Sequence, residues 1–592
     1  MKLNLLVFLC LFSFFGVAQN LQQVGNIDTI KNTLGDPFKL TGNIGVSLRS
    51  YNAWDIENRQ YPFTSSLTAN ATIQTYGVTI PFSFIMHNLE EDSNPFQKEY
   101  WNGFLTNQGN RLTRFGASPY YKWIKLHLGD RYMNFSEFTL ANHHFLGAGV
   151  ELTPQKWRIA AMAGRLSKAE PQSLSLRTPN IQQFTRTGYG VKLGYGTAVD
   201  FIEASMFSAK DDPQSLNQQN DSLFIVTPQE NLVLSLRGRK NLSDHLNIQF
   251  ELAESALTRN AKDPDYDDGF FLYRGLLFQQ KTSSLFRTAA NAKLEYSEND
   301  FRAGLQYRRI DPEYTSLGAY FFNEDLENIT AYTNFSLLQK ALSLQLQAGY
   351  QRNNLDASKE ASFKRFIGSA NAAYRVKDWN FGANMSNFSS RVDYQLNPEL
   401  DSLNAVIVSQ EINVNVSKVF PGNGESFQII NVIAGVQSVN DNIDNPQESA
   451  SSDLFFANAS YSISTRSQWQ YSASADYNSN SLNGIDLNRY GLGFQIAKGS
   501  KDSKFQTGVG MNYYIQTSSE DYHNNLWNNF LRGSWQAFKD QSFSLQLNWL
   551  RNTKTGAGID THYSELMGTI GYNMQFGYNP SQKTRTDKPA KQ

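Results

Sequence analysis

Apolar and polar side chains alternate along most of this chain. In residues 541–550 (QSFSLQLNWL), Phe543, Leu545 and Leu547 alternate with serine and glutamine. Because side chains on a strand point to opposite faces with period two, such a segment has one apolar face and one polar face. Segments of this kind recur from residue 40 to 578, and helical spacing is not sustained anywhere. The pattern predicts an all-β chain.

The connections between these segments alternate between short and long. The short ones fall near residues 75–78, 122–124, 153–156, 195–199, 241–245, 297–300, 339–341, 376–379, 420–425, 465–468, 499–503 and 538–541. The long ones are rich in Asn, Asp, Pro and Gly and include 89–110, 168–183, 209–228, 258–283, 311–325 and 438–450. Short turns at one end and long loops at the other are typical of outer-membrane barrels. The segments predict about 26 strands, within a range of about 22 to 26.

Composition indicates which face meets the surroundings. Charged residues are only 18% of the chain, and the polar face consists mainly of Ser, Asn, Gln, Gly and Thr. A soluble sandwich would carry lysine and glutamate on its outer face, so we interpret the apolar face as lipid-facing. Unpaired strand edges are costly in hydrocarbon, and closure is therefore required. The prediction is a large single-chain transmembrane antiparallel β-barrel with short periplasmic turns and long extracellular loops.

The N-terminus predicts export. Lys2, an apolar run and the small residues before Gln19 form a signal peptide, residues 1–18. We expect a short periplasmic lead at 19–39, the barrel at 40–578 and a disordered periplasmic tail at 579–592. The single cysteine, Cys10, lies in the signal peptide, so the mature chain is predicted to have no disulfide and no thiolate metal site. The predicted location is the outer membrane, with its lipid as the surrounding partner.

Charge narrows the function classes. Formal net charge is −1, with 53 basic and 54 acidic side chains, so no nucleic-acid partner is expected. Charges predicted on the inward face of the middle strands would line a lumen and set solute selectivity, or else form satisfied salt-bridge networks. These lumen-lining candidates are Arg237, Arg239, Glu251, Arg287, Lys293, Glu295, Arg302 and Arg308. A porin-like pore for transport is the first hypothesis; a scaffold subunit of an envelope complex, plugged or capped by lipoprotein or periplasmic partners, is the second.

Two features predict orientation and assembly. Five tryptophans next to short turns are interpreted as a periplasmic aromatic girdle: Trp123, Trp157, Trp379, Trp469 and Trp535. The last alternating segment resembles the barrel-insertion signal, which implies recognition by the barrel assembly machinery. Its matching positions are Thr569, Gly571, Met574 and Phe576.

An outer-membrane enzyme is the third hypothesis, and the sequence favours a chain that is not an enzyme. His127, Asp130, Glu137 and the pair His143-His144 match no metal signature. The acidic stretch DPDYDD (263–268) lacks the Gly and closing Glu of a calcium loop, so a solvated loop is preferred. No catalytic residue, metal or cofactor is predicted. The aromatic loop 89–110 is expected either to pack on itself or to enter the lumen or dock a partner.

Residues 113–165 contain FGASPYYKW, MNFSEFTL and FLGAGVEL. This block resembles a family of large, poorly characterised outer-membrane β-barrel proteins of Bacteroidota, Gram-negative bacteria. The resemblance implies the fold and the location, and it transfers no activity and no catalytic residues.

Overall fold

The computed structural model describes most of the barrel region. The described residues are 38–88, 113–171, 182–216, 226–266, 275, 277–359, 364–392, 405–422, 424, 426–440, 451–482, 485–519, 522–556 and 558–579. The predicted signal peptide, the aromatic loop 89–110, and most of the predicted lead and tail lie outside these residues.

Every regular element of the described residues is a strand, as the alternating pattern predicts. The first fourteen are β1 (Lys39–Trp54), β2 (Phe63–Thr75), β3 (Val78–Asn88), β4 (Arg114–Ala117), β5 (Tyr120–Tyr121), β6 (Ile124–Asn134), β7 (Ala141–Leu152), β8 (Trp157–Ser167), β9 (Arg186–Gly196), β10 (Phe201–Asp211), β11 (Glu230–Asn241), β12 (Leu246–Thr258), β13 (Ser284–Glu298) and β14 (Phe301–Ile310). The others are β15 (Leu326–Leu337), β16 (Leu342–Arg352), β17 (Lys364–Val376), β18 (Trp379–Val392), β19 (Ala405–Pro421), β20 (Ser426–Asn440), β21 (Ser452–Thr465), β22 (Trp469–Leu482), β23 (Ile485–Gly499), β24 (Phe505–Ser518), β25 (Tyr522–Phe538), β26 (Gln541–Gly556) and β27 (Ile559–Tyr578).

The sheet closes on itself. Successive strands pair antiparallel, and β27 pairs with β1 from Leu40↔Tyr578 to Trp54↔Ser564. β4 and β5 are two pieces of one position in the wall, because β3 and β6 each pair with both of them. The 27 strands therefore make a barrel of 26 strand positions, and the predicted fold class is confirmed.

A proline interrupts the divided strand. Pro119 lacks an N–H group and cannot donate to a ladder. The Ser118 N–H donates to the Pro81 carbonyl at 3.0 Å, and the Pro119 carbonyl accepts from the Leu126 N–H at 2.8 Å. Strand pairing thus passes around the break with these backbone groups satisfied.

The outer face of the barrel is apolar. On β26, Phe543, Leu545, Leu547 and Trp549 are all exposed. Their polar neighbours Ser544 and Gln546 point to the other face. Exposed apolar side chains also line one face of β9 and β23, so the apolar surface runs around the barrel. A closed barrel with an apolar outside is the arrangement that hydrocarbon requires.

No helix among the described residues has the length and apolarity needed to cross a bilayer.

All twelve predicted short turns fall between consecutive strands of the structure. At the first of them, Tyr76 and Gly77 both have positive φ, 46° and 82°, as a two-residue type I′ hairpin turn requires. At the opposite end, however, the last three connections are also short, between β22 and β23, β24 and β25, and β26 and β27. At these three positions, longer strands take the place of long loops. The strand β27, for example, has 20 residues.

Neighbouring residues of β16 test the two faces directly. Leu346 is exposed on the outer face, and Gln347 is exposed on the inner face. We expect Leu346→Arg to destabilise the barrel in lipid by about 2–4 kcal/mol, because it places a charge near the bilayer middle. Gln347→Arg is the matched control and should change stability little. Urea titration in vesicles, followed by tryptophan fluorescence, measures both; equal effects would contradict the assignment of the faces.

Candidate functional site in the barrel lumen

Two connections from the long-loop end fold into the barrel. Residues 135–140 join β6 to β7, and residues 311–325 join β14 to β15. We call these two segments together the inner lobe. They bind each other: the Tyr314 hydroxyl donates to the Phe138 carbonyl at 2.8 Å, and the Ser316 hydroxyl donates to the Thr139 carbonyl at 2.6 Å. Segment 311–325, predicted as an extracellular loop, is therefore in part an internal element.

Apolar contacts hold the inner lobe against one side of the wall. Phe135 and Leu140 are fully buried in a cluster that includes Phe145, Met162 and Phe207 of the wall. Phe138 and Tyr314 lie in a second cluster with Val233, Ala253, Ala289 and Ile310. Full burial of a large apolar side chain stabilises a fold by about 1.5–3 kcal/mol. The inner lobe is thus a hydrophobic core inside the barrel.

Small residues on the wall make room for these rings. A Cβ atom at Gly190 of β9 would lie 2.7 Å from Cε2 of Phe135, which no real Cβ contact tolerates. Phe135 therefore packs directly against the backbone of β9.

The hydroxyl group of Tyr314 is protonated. Burial raises the pKa of Tyr314 well above its ordinary value, with a further contribution from the Glu251 charge. The Tyr314 phenol therefore remains a protonated donor.

Glu251 of β12 anchors the inner lobe. Its carboxylate accepts the backbone N–H groups of Phe138 at 3.0 Å and Glu137 at 3.4 Å. Glu137 in turn forms an ion pair with Arg308 of β14 at 2.5 Å, and the Arg308 guanidinium lies 5.4 Å from the centre of the Phe138 ring. Two of the predicted lumen-lining residues, Glu251 and Arg308, thus contact the same short segment.

Glu203 of β10 was not predicted from the sequence. Its side chain is buried and forms ion pairs with Arg158 and Arg237, the latter at 2.5 Å. Lys192 lies nearby and donates to the Asn134 carbonyl at 3.3 Å. The structure places Glu203 opposite Arg237 at an inward position, whereas the signal in the sequence was only a charged residue within the alternating segment 201–211. One buried carboxylate therefore holds two cations of the wall.

The other predicted lumen-lining residues lie on the same face. Glu295 contacts Lys293 at 3.0 Å and the Tyr332 hydroxyl at 2.7 Å, with Arg302 at 3.9 Å. Arg287 is 3.9 Å from Asp356. Arg239 lies opposite Gln249 and Phe201, and its Nε has no hydrogen-bond partner among the described atoms. The eight candidates thus divide among several networks.

The strands that follow the inner lobe around the barrel differ in chemistry. Inward positions of β16, β18 and β19 carry amides, with Gln345 and Gln347 exposed and Asn384 donating to Asn413 at 2.9 Å. Glu411 accepts from Asn413 at 2.8 Å. Within the described chain, β7 to β14 therefore bear ion pairs and the inner lobe, whereas β16 to β19 bear mainly uncharged amides, with Glu411 among them.

The five tryptophans predicted as a girdle all lie beside short turns, and each is exposed. Trp157 contacts Tyr195 edge-on, and Trp469 stacks on Tyr471. Trp54, Trp527 and Trp549 are exposed as well and were not in the predicted set. The headgroup-level role stays a prediction.

The predicted insertion signal falls on β27, which closes the barrel. Gly571 pairs with Ser47 of β1 and Ser544 of β26, and Met574 pairs with Ile44. Thr569 and Gly571 lie on the inward face, whereas Met574 and Phe576 share the outward face with the exposed Ile570.

The structure pairs His144 with Asp130 and places the other histidines and carboxylates that the sequence grouped in separate contacts. His144 Nε2 lies 2.9 Å from Asp130, and His127 Nε2 lies 2.6 Å from Glu151. Glu137 belongs to the inner lobe. Asp265 pairs with Lys281 at 2.5 Å, while Asp267 and Asp268 lie outside the described residues. In the described part of the chain, no three such side chains form a group suited to a metal ion.

His127 also contacts a serine. The Ser118 hydroxyl is 3.4 Å from His127 Nδ1, so Ser118, His127 and Glu151 form a chain of contacts on the lumen wall. The His127 side chain is only 5% exposed, and Lys125 also binds Glu151 at 3.2 Å. The Ser118 N–H is engaged by Pro81 and thus does not point at a reacting oxyanion.

Together, the closed barrel, the apolar outside and the polar lumen define the class: a large β-barrel of the outer membrane. No protein-family model and no curated protein matches the sequence.

Several solved structures are similar to this chain at low sequence identity. One is the P pilus tip assembly intermediate PapC-PapD-PapK-PapG of E. coli, with 12% identity over 92% of this chain and a TM-score of 0.41; the match spans 61% of that chain. The P pilus usher PapC translocation pore has 11% identity over 91% of this chain and 100% of that chain, with a TM-score of 0.35. The copper transporter OprC has 9% identity over 91% of this chain and 80% of that chain, with a TM-score of 0.37. These similarities bring no activity, substrate or partner to this chain.

Proposed function

We propose that this barrel is a pore or transport protein for small polar solutes. The observation that carries the proposal is the polar, exposed inner face of β16 and β18, which the inner lobe leaves uncovered. A lumen surface of exposed amides is suited to water and polar solutes.

The size of the barrel supports conduction past the inner lobe. Twenty-six strands at a spacing of about 4.8 Å and a tilt of about 40° enclose a cylinder roughly 50 Å across. The inner lobe packs against the wall from β7 to β14. It therefore narrows a wide lumen from one side, and its charged neighbours Arg308 and Glu137 border the passage.

Electrical recording tests this function. Purified protein inserted in planar bilayers should give stepwise currents, because ions can pass along the amide wall. The heat-denatured protein is the control, and it should give none. A folded barrel that inserts in the bilayer without any conductance would refute the pore.

A second candidate is a scaffold subunit capped or filled by a lipoprotein or periplasmic partner. Tyr320 and Phe321 of segment 311–325 favour it, since they are the most exposed large apolar side chains in the described chain, at 70% and 73%. Exposed aromatic pairs are common anchors at interfaces. Purification in mild detergent separates the candidates: a stoichiometric partner that is lost on Phe321→Ser supports the scaffold, and a chain that stays alone supports the pore.

The remaining assignments are also proposals. The block at 113–165 supports membership of the Bacteroidota barrels that it resembles, and β27 supports recognition by the barrel assembly machinery.

We further propose that the chain is not an enzyme and that the contacts of Ser118, His127 and Glu151 are structural, since His127 is buried. A fluorophosphonate probe should leave Ser118 unlabelled, and labelling that disappears in Ser118→Ala would contradict this.

A further inference from the structure

A cavity of about 480 Å³ lies on the inner side of the first three strands. Its lining comes from β1, β2 and β3 and from residues 59–61 of the connection between β1 and β2. Ser47 and Arg49 point inward, because they alternate with Leu48, whose partner Ile570 is exposed on the outer face. The β1–β2 connection is at the long-loop end, so the cavity lies just inside that mouth of the barrel.

The lining is basic and hydroxylated. It contains Arg49, Arg59 and His87, together with the hydroxyl groups of Ser47, Thr64 and Ser66, and none of the described lining residues is acidic. A volume of this size is typical of a site for a small molecule. Guanidinium and hydroxyl groups together are the donors that bind an anion carrying several hydroxyls.

The two arginines are in different states. Arg59 is neutralised by Glu565 of β27, through contacts of 2.9 Å from Nε and 2.6 Å from Nη2. Arg49 bonds only the uncharged Gln60 through Nη2, and its Nε is buried without a hydrogen-bond partner among the described atoms. A buried unpaired donor on a cation is costly unless a ligand satisfies it. Among the described residues, Arg49 is therefore the arginine of this cavity that no carboxylate pairs with and whose Nε lacks an acceptor.

We propose that this cavity binds a small hydroxylated anion, a sugar phosphate or a sugar acid, with Arg49 holding the anionic group. Ser47, Thr64 and Ser66 then bond the ligand hydroxyls, and Arg59 is fixed at the edge by Glu565. This inference rests on the proposed function for its biological meaning, since the site would select solutes at the mouth. Binding in detergent can be measured whether or not the protein conducts ions. The binding proposal and the pore proposal can therefore be refuted independently.

Calorimetric titration of the purified full chain in detergent at constant ionic strength tests the site. The probes are glucose 6-phosphate, glucuronate, glucose and inorganic phosphate. We expect either or both sugar anions to bind and glucose to bind far more weakly. Arg49→Gln should weaken sugar-anion binding about tenfold or more, because a charge-assisted contact is lost. Arg49→Lys keeps the charge and should retain part of the affinity.

Arg489→Gln is the matched control. Arg489 faces the lumen from β23, with its guanidinium 5.2 Å from the centre of the Tyr514 ring, away from the cavity. The Arg489→Gln variant should leave the binding of the sugar anions unchanged. Heat-modifiable gel migration checks that each variant folds. Sugar anions that bind wild type and Arg49→Gln equally, or that fail to bind wild type at millimolar concentration, would overturn the site. Inorganic phosphate binding as tightly as glucose 6-phosphate would overturn the sugar part of the proposal.

Discussion

Replacing Glu251 by alanine is expected to release residues 135–140 from the barrel wall. The change leaves the buried Phe138 N–H and the partly buried Glu137 N–H without their acceptor. A buried unpaired donor costs about 1–3 kcal/mol and a partly buried one costs less, so the inner lobe should lose about 2–3 kcal/mol of local stability. Hydrogen exchange at Phe138 should then accelerate on the order of a hundredfold. Mass spectrometry of the peptide that spans β6 and β7 measures it.

The same variant should also make the pore currents noisier, because a mobile inner lobe would fluctuate across the lumen. Glu411→Ala is the control, since Glu411 also faces the lumen but contacts Asn413 on its own strand, β19, and not the inner lobe. Glu251→Gln keeps an acceptor oxygen and should fall between the two. If exchange at Phe138 is the same in Glu251→Ala and Glu411→Ala, Glu251 is not the anchor.

Replacing Glu203 by alanine is expected to give the largest loss of global stability. Its carboxylate is buried between Arg158 and Arg237, and Lys192 lies close by. Without the carboxylate, these cations repel one another where water is scarce. Removing one partner of a buried ion pair costs about 3–5 kcal/mol, and the partial exposure of both guanidiniums places this case near 3 kcal/mol. The midpoint of urea unfolding in vesicles should fall accordingly.

The partners give a graded comparison. Arg237→Ala should cost less than Glu203→Ala, because Arg158 still neutralises the carboxylate. Asp476→Ala, at an inward position of β22, is a control for the loss of a lumen carboxylate. An unfolding midpoint for Glu203→Ala no lower than that of Asp476→Ala would show that the ion pairs contribute nothing.

Local chemistry made much of the barrel predictable. The alternation of residues 541–550 determines which side chains share a face, because a strand has period two whatever its neighbours are. The same rule places Arg237, Glu251 and Lys293 on one face. Short turns were also predictable, since a residue such as Gly77 in the turn at 75–78 permits positive φ.

Contacts over long sequence distances were not predictable. In the sequence, residues 135–140 and 311–325 each resemble an ordinary connection between two strands. Nothing within either segment indicates that it packs against the other. Tyr314 and Phe138 meet across 176 residues. Likewise, the connections near the end of the chain are short because β22 to β27 are long. The length of these strands depends on their pairing with neighbouring strands.

By itself, the sequence determined the strands, their two faces and the membrane setting, because these follow from the periodicity of hydrophobic side chains. Only the tertiary structure decided that two connections enter the lumen, that Glu203 and Glu251 anchor cations and backbone there, and that Arg49 is left uncompensated in a cavity. The physical reason is that alternation is a local property of the chain, whereas closure of the barrel sets which distant side chains become neighbours.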